Sequence, residues 1–154
     1  MDPAKFRDPL VTAKGEERAV VALTRLHTVW FNTGSLCNIT CKNCYMDSSP
    51  TNDHLRYLSL PQVENYLDEI AVEGYPVEMI AFTGGEPFMN KDLPAMIEES
   101  LTRGFRVLVL TNAMRPLHHR REDLLAMRDC HGDALAIRVS IDNFTRKKHE
   151  EIRG

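Results

Sequence analysis

No stretch of the sequence approaches the ~20 apolar residues that a membrane-spanning helix needs. The leading segment, MDPAKFRDPLVTAKGEER, has no apolar core and so cannot act as a secretory signal. An excess of either charge is also missing. The formal net charge of −3 gives no reason to expect nucleic acid or an anionic membrane as partner. There is no low-complexity segment and no repeat of residues. These absences make the cytoplasm the expected compartment, where cysteines stay mostly reduced. Cysteine itself is scarce, with four in the chain. A tight group of them is then read as metal-binding or catalytic rather than disulfide-bonded.

What is present is the composition of a soluble globular protein, 43% apolar and 27% charged, at a length of 154 residues that suits one domain. After a charged, proline-containing arm over residues 1–25, strand and helix signals alternate. LHTVWFNTG (26–34) is rich in strand formers and ends in turn residues. In SLPQVENYLDEIAVEG, Ser59 and Gln62 form a capping-box pair with Pro61 in the first turn. Val63, Tyr66, Leu67, Ile70 and Ala71 follow at helical spacing, and Gly74 supplies the stop. VEMIAF reads as a buried strand ending in TGGEP. Asn90 is the expected cap of a helix with Leu93, Met96, Ile97 and Leu101 on one face. FRVLVL is a strand ending in TNA, and a weaker helix spans about Arg121 to Cys130. ALAIRVSI is a fourth strand ending at Asp142, and Thr145 caps a last helix.

Such alternation predicts an α/β fold with a parallel sheet. The continuous apolar runs suit strands covered on both faces, with Trp30 and Phe31 in the core. An open doubly wound sheet and part of a βα barrel both fit. In either, chemistry sits at the carboxyl ends of the strands. CNITCKNC, TGGEP, TNA and SID each follow a strand, so one rim collects all four.

CNITCKNC places Cys37, Cys41 and Cys44 close together. Three thiolates can serve zinc or an iron–sulfur cluster. Structural zinc wants four closed ligands, and Cys130, His27, His54 or His131 could be the fourth. Cys130, near a helix end on the opposite rim, reads more simply as a small core hydrophobe, and His27 as a satisfied strand residue. Cubane clusters usually take four cysteines. With three, one iron stays open, and an open position marks a catalytic metal.

The pattern C-x3-C-x2-C after a first strand, with GGEP after a second, resembles the radical S-adenosylmethionine (SAM) family. The likeness runs through TNA and RVSID to HEEIRG, over residues 26–154. It implies an N-terminal part of a radical SAM core domain, with about four parallel strands of an expected six-stranded partial (βα) barrel. It implies a [4Fe–4S] cluster held by Cys37, Cys41 and Cys44, with SAM chelating the fourth iron. Reductive cleavage of SAM would give a 5′-deoxyadenosyl radical that abstracts hydrogen from an unknown small-molecule or peptide substrate. An electron donor of ferredoxin or flavodoxin type is implied as partner. Gly84, Gly85 and Glu86 are the expected sites for SAM's ammonium, since glycines admit close backbone approach. Their bland reading is a tight strand-helix turn. Ser140 is expected to face the ribose or carboxylate, flanked by Asp142 and Arg138. Thr111 and Asn112 lie on the same rim and face SAM or substrate, or serve the turn. No catalytic residue acting on substrate is identified.

The sequence departs from the family pattern in two ways. An aromatic usually precedes the third cysteine. Here Asn43 stands there and Tyr45 follows it, which leaves Asn43 backbone contacts and a displaced ring as the expected adenine contacts. The chain is also shorter than the family core, which implies a truncated product with an uncovered fourth strand. CYMDSSPTND, RVSID and HEEIRG are most similar to the cofactor-maturation and peptide-modifying branch. The alternatives are a zinc-binding structural or interaction module, and a catalytically incompetent fragment of a radical SAM protein.

Overall fold

A computed structural model describes residues 8–153. The start of the expected arm and Gly154, the last residue of HEEIRG, lie outside the described residues. The strands are β1 (Thr28–Asn32), β2 (Met79–Thr83), β3 (Arg106–Thr111) and β4 (Leu135–Val139). Helices α1 (Leu60–Glu73), α2 (Leu93–Thr102), the one-turn α3 (Arg115–His118), α4 (Arg121–His131) and α5 (Arg146–Arg153) follow them in alternation. The sheet is wholly parallel, with spatial order β1-β2-β3-β4. A doubly wound sheet reverses its strand order at a switch point. Here sequence order and spatial order coincide, as in the staves of a barrel wall, and this decides between the two expected architectures.

Local chemistry sets the helix ends. The Ser59 N–H and hydroxyl both reach Gln62 Oε1, at 3.0 and 2.9 Å, and Gly74 closes α1 in the left-handed region at φ 64°. Asn90 does not cap α2 as expected; Asp92 holds that position. The buried Asn90 side chain instead accepts from Asp92 N and donates to the carbonyls of Leu58 (2.7 Å) and Thr33 (3.3 Å). It thereby fastens the chain leaving β1 to the chain entering α1.

The register puts Phe31 beside Phe82, Phe82 beside Val109, and Val109 beside Ile137. Phe31, Ile80, Phe82, Val107 and Val109 bury against Val63, Leu67 and Ile70 of α1, Met96, Ile97 and Leu101 of α2, and Met127 of α4. Each large side chain removed from water contributes ~1.5–3 kcal/mol. These three helices cover one face; on the other, Ala81 and Leu108 are buried but Trp30 is 49% exposed, so the expected burial on both sides is met only in part. Successive strand residues point to opposite faces, so Phe31 is core while its neighbour Trp30 is 49% exposed. The placing of Trp30 in the core is thus also corrected.

The fourth strand ends at Val139 rather than Asp142, and its Ile137 and Val139 are exposed. Cys130 is exposed instead of buried, because α4 turns only Met127 fully inward. His27 is a satisfied residue at the strand's N-terminal end, with Nε2 3.0 Å from Glu78. No helix among the described residues is long and apolar enough to cross a membrane.

Candidate functional site

The segment leaving β1 continues alongside the one leaving β2. Thr33 N donates to Thr83 O (2.8 Å), Gly85 N to Gly34 O (2.9 Å) and Glu86 N to Leu36 O (3.0 Å). This zipper delivers the chain to Cys37, whose N–H donates to Ser49 O. The glycines make the approach possible. A Cβ on Gly85 would lie 2.2 Å from Leu36 O, and Gly84 adopts φ 150°. Tight turns then bring the other cysteines round, with Cys44 N donating to Cys41 O and Asp47 N to Cys44 O.

The result is a cavity of about 240 Å³ at the carboxyl ends of all four strands. Cys37, Cys41 and Cys44 line it with Asn43, Tyr45, Gly84, Gly85 and Ser140. Cys37 is buried, Cys41 and Cys44 are half-buried, and Tyr45 is 82% exposed. Thr111, Asn112 and Asp142 also reach the wall, whereas Arg138 does not. None of the candidate fourth zinc ligands, Cys130, His27, His54 or His131, lines it. Among the described residues no three His, Cys, Asp or Glu side chains converge as the ligands of one ion would.

Glu86 stands behind this wall, 1% exposed. Its carboxylate accepts from Thr111 Oγ1 (2.8 Å), Asn112 N (2.8 Å) and Phe88 N (3.1 Å). A carboxylate has about four lone-pair positions, so at most one remains for a ligand. Burial pushes its pKa up, while the Asn112, Thr111 and Phe88 donors pull it down. Asn112 extends the linkage: its Nδ2 donates to Asn38 Oδ1 (2.9 Å) and lies 3.7 Å from Cys37 Sγ. Burial raises the Cys37 and Cys41 thiols above their ordinary pKa, with Arg153 opposing this at Cys41. Metal binding there would release protons.

Sequence reasoning singled out neither Arg153 nor Ser48. Arg153 ends α5, pairs with Asp142 at 2.5 Å and lines the cavity, and Lys42 N ties the cysteine loop to Ile152 O at 2.9 Å. The signal for Arg153 was HEEIRG, noted only as a likeness. Ser48 lay in CYMDSSPTND, likewise noted only as a likeness.

An α/β partial barrel wall with a thiol-lined cavity at its carboxyl rim defines the structural class. Residues 31–154 match the family model described as the Radical SAM superfamily, and the chain belongs to that superfamily. It is similar to the S-adenosylmethionine-dependent nucleotide dehydratase of Selenomonas ruminantium, at 29% identity over 72% of this chain and 37% of the relative. The probable GTP 3',8-cyclase of Metallosphaera sedula is 31% identical over 77% of this chain and 35% of its own length. The Fe-coproporphyrin III synthase of Methanosarcina barkeri is 36% identical over 54% of this chain and 20% of its own. The chain thus spans between a fifth and two fifths of the relatives it matches. Among solved structures, Streptococcus suis SuiB bound to S-adenosylmethionine superimposes with a TM-score of 0.67 at 16% identity. That match covers 84% of this chain and 28% of SuiB, and it shows a shared fold.

Proposed function

We propose that residues 26–154 form the cluster-bearing part of a radical SAM core, preceded by an arm over residues 1–25. One observation carries this reading: Cys37, Cys41 and Cys44 share a single cavity with Gly84, Gly85 and Ser140. The donor set fits a [4Fe–4S] cluster. Three soft thiols spaced around a cavity suit a polynuclear cluster with one open iron, and among the described residues no fourth cysteine lines that cavity. Together the cluster and SAM supply a one-electron cleavage that yields methionine and a 5′-deoxyadenosyl radical able to take hydrogen from substrate.

In this reading Cys37, Cys41 and Cys44 hold the cluster. The peptide oxygens of Gly84 and Gly85 accept from SAM's ammonium, and Glu86 contributes its one free lone-pair position while locking the loop. Ser140 and Arg153 offer donors to the carboxylate or ribose. Asn43 and Tyr45 border the adenine, the latter from a more open position. A one-electron donor of ferredoxin or flavodoxin type and an unknown small-molecule or peptide substrate complete the scheme, in the cytoplasm. The SuiB structure with its precursor peptide SuiA lends the peptide class some support.

The test is anaerobic reconstitution with iron and sulfide. About four irons per chain are expected. Alanine at Cys37, Cys41 or Cys44 should abolish uptake, and Cys130→Ala should leave it unchanged. Stoichiometric zinc in place of iron, or equal loss in the Cys130 variant, would return the chain to the structural-module reading.

A further inference from the structure

Ser48 is 4% exposed, and its Oγ is the buried side-chain oxygen that no donor or acceptor satisfies among the described residues. It belongs to the wall of the thiol-lined cavity. An unmade hydrogen bond at a buried hydroxyl is costly. The group therefore points to a partner that the protein alone does not supply.

The backbone holds Ser48 in place deliberately. Asp47, just before it, adopts φ 51°, a left-handed conformation uncommon for a residue with a side chain. The Asp47 N–H donates to Cys44 O (3.2 Å), and Asn52 Nδ2 grips Asp47 O at 2.9 Å. With the turn so clamped, Ser48 N–H already donates to Cys44 Sγ at 3.3 Å. Its hydroxyl is carried by the same residue, in the wall of the same cavity.

We propose that Ser48 is a positioning residue for the iron–sulfur cluster, its buried hydroxyl donating to a cluster sulfur beside Cys44. This rests on the cluster reading above. A hydroxyl is a donor with a rotatable hydrogen, and sulfide and thiolate are the acceptors such a cluster brings. Donation to sulfur withdraws electron density and favours the reduced, more negative state. Hydrogen bonds to the sulfurs are among the levers that set cluster potentials. Ser48, with one donor from its backbone and one from its side chain, thus raises the midpoint potential and helps fix the Cys44 corner.

The test compares the wild-type chain with Ser48→Ala and Ser48→Thr, each reconstituted anaerobically. Each is titrated with redox mediators in the absence of SAM and followed by electron paramagnetic resonance. Ser48→Ala should move the midpoint to more negative potential; a tenfold change in the reduction equilibrium corresponds to about 59 mV for one electron. Ser48→Thr keeps the hydroxyl and should stay near wild type. Before reconstitution, Ser48→Ala should melt no lower than wild type, because the hydroxyl has no partner to lose among the described residues. Loss of cluster from a folded Ser48→Ala chain, with retention in Ser48→Thr, also supports the assignment. An unmoved potential in Ser48→Ala overturns it. So does a shift that appears only with SAM bound, an equal shift in Ser48→Thr, or a lower melting point of the cluster-free alanine chain. A wild-type chain that takes up no cluster overturns this inference and the proposed function together, whereas the other outcomes leave the latter standing.

Discussion

Replacing Glu86 by alanine strands three donors at once. The Phe88 N–H, bonded at 3.1 Å, lies in buried surroundings, and the Thr111 hydroxyl at 2.8 Å belongs to a residue 3% exposed. The Asn112 N–H at 2.8 Å is only part-buried, so water can take over there. A buried donor left without an acceptor costs ~1–3 kcal/mol. Counting the first two in full and the third at the low end gives about 3–7 kcal/mol, a large share of the ~5–15 kcal/mol typical of a domain. Urea unfolding of the cluster-free chain reads this directly. A loss below about 1 kcal/mol would refute the view that Glu86 chiefly fastens the TGGEP and TNA segments together. Glu86→Gln is the finer probe, because it keeps the volume and one acceptor oxygen but sets an NH2 against one of the donors. It should cost less than alanine, about 1–3 kcal/mol. The pH dependence has a definite sign. Burial raises the Glu86 pKa, so the folded state holds that proton more tightly than the unfolded one. The group's contribution is full below the ordinary glutamate value and is lost as pH rises through the folded value. The stability of wild type relative to the non-titrating Glu86→Gln should fall across that window. A rise would contradict the assignment of burial as the dominant cause.

Two further outcomes follow from packing. Gly85→Ala would force a Cβ to 2.2 Å from Leu36 O and 2.7 Å from Ser35 O. Both are backbone, so the loop presenting Cys37 must shift, and the melting temperature should fall far more than in Gly74→Ala. The latter has nothing within 4 Å and carries only the left-handed penalty of ~1–2 kcal/mol; equal losses would show that the loops can separate cheaply. At the sheet edge, β4 presents Ile137 (36% exposed) and Val139 (45%), with Ile141 (71%) just beyond it. Such an edge invites pairing with another chain, so light scattering should find self-association that Ile137→Lys relieves. A monodisperse wild-type monomer at micromolar concentration would sink that expectation.

Much of this protein is written locally. The α1 capping pair, the Gly74 stop and the apolar spacing of α2 are short-range signals that no tertiary context overrode. The strand-helix alternation follows from them and implies a parallel sheet. The three cysteines and TGGEP could be assigned to one rim for the same reason, because a parallel sheet carries all its strand-to-helix connections at one end. The side-chain partners of single polar groups were not legible. Asn90 looks like a cap in sequence, yet it bridges two carbonyls that are brought together only when β1 and β2 pair. Glu86 looks like a ligand group, and nothing in sequence shows that the chain also folds it under the rim, where Thr111 and Asn112 arrive from β3 and donate to it.

By itself, then, the sequence determined the order of elements, the close spacing of three cysteines and the family, because each depends on neighbours along the chain. Tertiary structure alone decided which face of the sheet the helices cover, leaving Trp30 open and Phe31 buried. It also decided which polar side chains serve the fold and which face the cavity. A hydrogen bond between residues 25 apart, such as Thr111 to Glu86, exists only after the strands are in register. The Ser48 hydroxyl is recognised as unpaired only once everything around it has found its partner.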